Sequence, residues 1–269
     1  MVKNLLILLF DYQNYKDNME LIISIIMLLA TVGAIFLAWR NLKKIQEQIE
    51  LQKQESEQNA IARAWEIVGR KASGNSGKKE ALEFLNKKGI PLVGIDLSAK
   101  THGGYVWLIG VDLRGANLER ANLSGADLIG ADLSDMNLIG VDLSGAGLIG
   151  VDLSETQLML ANLRDASLIT VCLIGVELFD ADFRGTELNC ITLDAVDFSF
   201  AKIDTTTNFG PAFLKDKNKP PQFSQKQIEQ LGIEMKLGEL EEGEDFDGNK
   251  TLYHELKITL NPPKPSKPA

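Results

Sequence analysis

The chain has 269 residues, 45% of them hydrophobic and 24% charged, with a formal net charge of -9. That length is a prior for one or two folded units and against a large multidomain enzyme. Two Cys and two His exclude a disulfide framework and a multi-ligand structural zinc site, and the acidic balance argues against nucleic acid as a partner.

Leu21 to Trp39 is a run of 19 residues without a charge, with Ser24 and Thr31 as its only hydroxyls. As a helix rising about 1.5 Å per residue it reaches about 28 Å, close to the hydrocarbon thickness of a bilayer. A helix also satisfies every backbone donor and acceptor internally, as lipid demands. A cleaved signal peptide fits less well, because twenty mixed residues precede the run and its apolar core is longer than such a peptide needs. A buried soluble helix would normally show a polar stripe, and this run shows none. Residues 21–39 are therefore read as a transmembrane helix in contact with lipid, with Trp39 and Arg40 as membrane-interface anchors. Residues 1–20 form a separate N-terminal segment, whose run Leu5 to Phe10 is too short to span. Arg40, Lys43, Lys44 and Lys53 follow the span, while only Lys3 and Lys16 precede it. The positive-inside rule then gives a single-pass protein with its C-terminal part in the cytoplasm, where Cys172 and Cys190 stay reduced.

Leu42, Ile45 and Ile49, and then Ile61, Ala64, Trp65 and Val68, recur at helical spacing and predict a helical stalk over residues 40–72. Fewer than three clean heptads follow the membrane, so a coiled coil has little support there. Ser73 to Gly77 breaks the pattern, and Lys78 to Lys88 predicts a short helix ended by Gly89 and Pro91, making residues 73–104 a linker and N-terminal cap. Gly74 to Lys79 has the composition of a phosphate loop but lacks both the Walker spacing and a preceding strand.

From Leu108 to Ile203 every fifth residue is Leu, Phe or Ile: 17 Leu with Phe183, Phe198 and Ile203 fill 20 positions. Two residues before each stands Ala, Val, Thr, Met or Ile, without exception. Ala116-Asn117-Leu118-Glu119-Arg120 and Ala126-Asp127-Leu128-Ile129-Gly130 are typical units. The acidity is concentrated here: residues 105–204 hold 16 Asp plus Glu and 5 Lys plus Arg. A helical period would smear a five-residue repeat round its surface, and a flat strand would put alternate Leu on opposite faces. A chain that turns a corner every five residues sends both apolar positions inward each time. Gly at the second position after the central residue in 9 of 20 units, and Asp at Asp135, Asp165 and Asp180, tolerate the positive φ such corners need.

The repeat resembles the pentapeptide-repeat family, whose unit is Ala-(Asp/Asn)-Leu-X-X, over about 100 of the 269 residues. The resemblance implies an all-β domain over residues 105–204, a right-handed quadrilateral parallel β-helix with four units per coil, preceded by the transmembrane helix and stalk. Leu97 looks like a further unit displaced by an insertion. The interior, packed with Leu over Ala or Val, leaves no room for a small-molecule substrate. Residues 205–261 are expected to cap the other end through Phe209, Phe213 and a Ser224 to Leu231 helix whose Ser224 and Gln227 form a capping box. The same stretch includes a polar linker from Asp216 to Pro221, an acidic run from Glu239 to Asp247, and a strand carrying Leu252, Leu256, Ile258 and Leu260. Residues 262–269 read as a disordered Pro and Lys tail.

With four units per coil, residues 20 apart stack, and the residue after each central position faces outward. One column then reads Ile109, Ile129, Ile149, Ile169, Asn189, and the opposite one Glu119, Ile139, Met159, Phe179, Ser199. The two columns between them are polar. An exposed Ile ladder marks contact with a partner protein or a second copy, unless another segment of the chain covers it or the β-branched side chains merely suit stacked strands.

No nucleophile, base and orienter converge, no cofactor motif occurs, and His102 and His254 read as surface residues. Cys172 and Cys190 are about 8 Å apart on this geometry, too far for an unstrained bond. Asp245 to Asn249 places its Gly too early for an EF-hand. The expectation is a non-catalytic, membrane-tethered scaffold in a bacterial plasma or thylakoid membrane, since membrane proteins of this resemblance occur often in bacteria, cyanobacteria especially. An alternative comes from soluble family members that mimic a DNA duplex and bind DNA gyrase. The repeat's acidity is compatible with that role, whereas apolar columns and an anchor are not what it needs.

Overall fold

The computed structural model describes residues 2–72, 74, 77–214, 216–244 and 250–263. The tail beyond 263, the EF-hand-like stretch 245–249 with the end of the acidic run, and Ser73, Asn75 and Ser76 of the helix-breaking loop lie outside the described residues. The chain divides into two compact units, residues 1–60 and 61–269.

Unit one is helix. A single helix, α1, runs Val2–Gly69 without a break, so the N-terminal segment, the apolar run and the stalk share one backbone. Its sequence contains no Pro, and Gly33 is its only glycine before the last residue, so nothing interrupts the hydrogen-bond ladder. Within it lies a stretch long and apolar enough to cross a membrane, with a mean hydropathy of 2.0 and none of it buried against protein.

Unit two begins with the last turns of α1. Ala64 and Val68 are buried there, and Ile61, Trp65 and Ile67 pack against the same core. Helix α2 (Lys78–Lys87) follows and buries Ala81, Leu82 and Leu85. Lys78 is wholly buried, and its Nζ donates 2.7 Å to the Arg70 carbonyl just past the end of α1. Burial, helped by the Arg70 charge, holds its ammonium below the ordinary lysine range. The segment with phosphate-loop composition thus supplies a clasp for a helix C-terminus, where a cation is favoured.

The repeats wind into a β-helix solenoid with a twenty-residue coil. Four ladders of parallel bridges show it: Trp107 to Asp127 to Gly147 to Ser167 on one side, Asp112 to Asp132 to Asp152 to Cys172 on the next, and two more through Asn117 and Asn122. Most pairings are single bridges. Continuous strands occur only late, in β1 (Ser167–Ile169), β2 (Glu187–Asn189) and β3 (Ile191–Thr192). A chain that bends every five residues leaves at most two or three extended residues per side, which explains the sparse strands. At every corner from Gly110 to Ala195 the residue two after the central position takes a left-handed conformation. Gly130 has φ 64°, and Ala131 N–H donates 2.9 Å to Leu128 C=O, closing a type II turn.

The central residues are buried from Leu92 and Leu97 through Phe198, and Ile203 is half-buried. Leu97 is a displaced unit, its neighbour Asp96 bridging Asn122 across a gap of 26 residues that accommodates the one-turn helix α3 (Ala99–His102). Leu92 stacks likewise, its N–H donating 2.9 Å to Asn117 C=O. At the far end β4 (Asn208–Phe209) and β5 (Pro211–Leu214) extend the stack. The expected polar linker continues the winding, because Gln222 bridges Asp197 and Lys219 C=O accepts from Ala195 N–H. Helix α4 (Gln225–Leu231) has the capping box of Ser224 and Gln227. The acidic run supplies the second half of a strand up to Glu244: β6 (Ile233–Glu244) pairs antiparallel with β7 (Lys250–Leu260), and β7 with β5. An antiparallel hairpin laid over the last parallel turn ends the stack.

Candidate interaction faces

The corner geometry fixes what each repeat position can do. The Asp or Asn before the central residue sits on a bridge, and its Oδ1 accepts the backbone N–H two residues on. Asp127 accepts from Ile129 at 3.2 Å, Asn137 from Ile139 at 3.1 Å, and Asp152 from Ser154 at 2.9 Å. These side chains therefore close Asx turns as well as facing solvent. Their repetition has a structural cause. Small inward hydroxyls are satisfied across coils, as where Thr156 Oγ1 donates 2.9 Å to Leu133 C=O.

The residue after the central Leu points out of the stack. Ile109, Ile129 and Ile149 are 49%, 37% and 38% exposed, and Ile169 is half-buried. Strand pairing stacks Ile169 on Asn189, so the column turns polar in the next coil. Beside it lies an open groove of about 220 Å³ lined by Tyr105, Gly125, Asp127, Gly145, Gly147 and Asp165. Exposed Trp107 bridges Asp127 and extends the apolar surface at one end. On the opposite column Ile139 and Met159 are half-buried, while Phe179 is 57% exposed and its ring lies 5.3 Å from that of Phe200. Trp39 and Arg40 are exposed on α1, in the other unit.

Each of the two polar faces carries an Arg–Asp cluster. Arg114 donates to both carboxylate oxygens of Asp112, at 3.1 and 2.8 Å, and lies 3.2 Å from Asp132 in the coil above. Arg184 grips Asp182 at 2.8 and 2.6 Å, with Arg164 at 3.7 Å. Those Arg184 hydrogen bonds hold the Asp182 carboxyl below the usual carboxylate range. Asp182 thus binds its proton more weakly when folded, so its stabilisation is complete above the unfolded pKa, about 4, and is lost as pH falls through the folded value. Asp182→Asn keeps the Oδ1 acceptor of the Asx turn and removes the charge together with the Oδ2 acceptor that Arg184 uses. It should lower the thermal midpoint at about pH 7, and the gap to the parent should narrow as the pH falls below about 4, which melting curves across that range would check.

His102 is buried, contrary to the surface position expected for it. Ser98 caps α3, and the ring Nδ1 lies 3.1 Å from the Ser98 carbonyl oxygen. His254 is half-buried on β7. Both cysteines are free, and burial pushes the Cys172 thiol up. Among the described residues no three His, Cys, Asp or Glu gather as a metal ion would require.

Twenty-residue coils with Leu inside and Asx turns at the Asp and Asn units define a pentapeptide solenoid. A family model of pentapeptide repeats matches residues 108–145 and 142–178, with eight copies. A pentapeptide repeat protein from the Arabidopsis thaliana thylakoid lumen is 33% identical, over 37% of this chain and 68% of that one, with a TM-score of 0.29. Rfr23 from the cyanobacterium Cyanothece is 25% identical over 47% of this chain and 95% of its own, TM-score 0.30. HetL from the cyanobacterium Nostoc, described as involved in heterocyst differentiation regulation, is 29% identical over 44% and 61%, TM-score 0.22. No curated protein matches. The chain belongs to the pentapeptide-repeat family.

Proposed function

We propose that the protein is a non-catalytic interaction module: a right-handed, four-sided rod tethered by residues 21–39 to a bacterial plasma or thylakoid membrane and facing the cytoplasm. The observation that carries this reading is the column Ile109, Ile129, Ile149, which stays 37–49% exposed in successive coils. Three stacked β-branched side chains beside a groove give a flat, rigid apolar strip, the kind of surface a monomer rarely leaves open. A rigid strip also binds with little ordering cost. The anchor supports the reading by confining such a surface to two dimensions. The topology rests on Arg40, Lys43, Lys44 and Lys53 following the span.

The test is crosslinking in intact membranes with identification of the captured chains. Ile129→Lys combined with Ile149→Lys buries two unpaired ammonium groups in any contact on this face and should cut capture about tenfold or more. Both side chains point outward, so the far-UV β spectrum should not change. Unaltered capture would exonerate the face, and potent modulation of DNA gyrase by a soluble 61–269 fragment would favour duplex mimicry instead.

A further inference from the structure

We infer that α1 pairs in parallel with α1 of a second copy of this chain, through one seam that runs from the apolar span into the stalk. Leu28, Ile35, Leu42 and Ile49 lie at intervals of seven, and Ser24, Thr31, Ala38 and Ile45 are interleaved at the same interval. Steps of four and three alternate throughout residues 24–49. A straight helix drifts away from a strict seven-residue repeat, so the seam stays in one line only when the helix supercoils against a partner.

Among the described residues of its own unit nothing covers this line. Leu28, Ile35, Leu42, Ile45 and Ile49 are 50–69% exposed. Beyond the span three of them would face water, at an apolar cost that nothing else in the unit offsets. The polar residues are sorted around this line. From Asn41 to Gln52 the seam and the positions flanking it, Asn41, Gln46 and Gln48, carry no charge, while Lys43, Lys44, Glu47 and Glu50 all fall on the outer side. A charge-free seam with charges at the back lets two identical parallel helices meet over this stretch without setting like charges against each other. Within the span Ser24, Thr31 and Ala38 are small enough for close helix approach, as helix contacts in lipid favour. Thr31 Oγ1 donates 2.8 Å to the Leu28 carbonyl of its own helix, so it needs no partner across the seam.

The second copy is the occupant because the seam changes character at Trp39 and Arg40, from small residues alternating with Leu or Ile to Leu and Ile alone. A helix held at the same depth by the same anchor makes that change at the same height and in the same direction. This step rests on the membrane reading above, and the experiment separates the two.

The full-length chain, with Cys172→Ala and Cys190→Ser, receives one cysteine at a time: Leu42→Cys, Ile45→Cys or Ile49→Cys on the seam, and Lys43→Cys, Lys44→Cys or Glu47→Cys behind it. After fractionation, mild oxidation should yield a covalent dimer of this chain at the three seam positions, about fivefold more than at the others. A flat or empty profile in the membrane fraction overturns the pairing and leaves the anchor intact. A periodic profile in protein found only in the aqueous fraction upholds the pairing and removes the anchor. Crosslinks to a different polypeptide at the seam positions overturn the second copy as occupant.

Discussion

Ile26→Arg combined with Leu29→Arg is expected to move the protein from the carbonate-washed membrane fraction to the soluble fraction. Each arginine near the centre of a spanning helix costs about 2.5–3.5 kcal/mol on insertion scales, and the pair about 5–7 kcal/mol. That is on the order of a 10⁴-fold change in partition. The two side chains are 59% and 65% exposed on α1, so their loss removes no packing inside the protein. They also lie off the seam of Leu28 and Ile35, which separates insertion from helix pairing. Ile26→Ala with Leu29→Ala is the matched control and should stay in the membrane. Retention of the arginine variant in the washed membranes would show that the apolar run is not what holds the protein there.

The inward face of the rod was the part most legible in the residues. Two apolar positions held through twenty units call for a corner every five residues, while the twenty-residue coil was implied by the family resemblance and is seen in the bridges. The corners were legible only in part. Glycine and aspartate advertise a positive φ, but Arg120, Glu155, Leu160, Thr170, Cys190 and Ala195 adopt one too. None of those residue types favours that conformation, at about 1–2 kcal/mol each for an L-residue, so stacking between coils imposes it. Leu92 was hidden behind Gly89 and Pro91, which end a helix but do not prevent the next residue from joining a coil. Strand β6 was hidden by its glutamates, because an edge strand needs only its pairing side to be regular and can carry charge elsewhere. The Ile columns could be found by counting in twenties. Their exposure could not, since it depends on where distant segments pack.

Phe198→Ala should be the most damaging single truncation in the rod, at about 3–5 kcal/mol. Its ring is fully buried, stacked on Phe223 with centroids 5.3 Å apart and planes 9° apart. Phe183 meets it edge-on at 5.6 Å and Phe209 at 5.9 Å, and Phe209 also packs edge-on against Phe223. Phe183 and Phe198 stand where earlier coils have Leu, and two further rings from beyond the repeats pack against Phe198. Alanine here leaves a cavity that three rigid rings cannot close by rotating. Because each coil rests only on its neighbours, the loss at the last turns should propagate inward as fraying. Hydrogen exchange of amides around Leu188 and Leu193 should therefore accelerate more than that around Leu128, while urea denaturation reports the overall loss. Phe198→Leu restores the residue of the other units and much of the volume, and should cost about half as much. Equal loss for the two variants would mean that ring contacts, rather than the filled volume, hold this end closed.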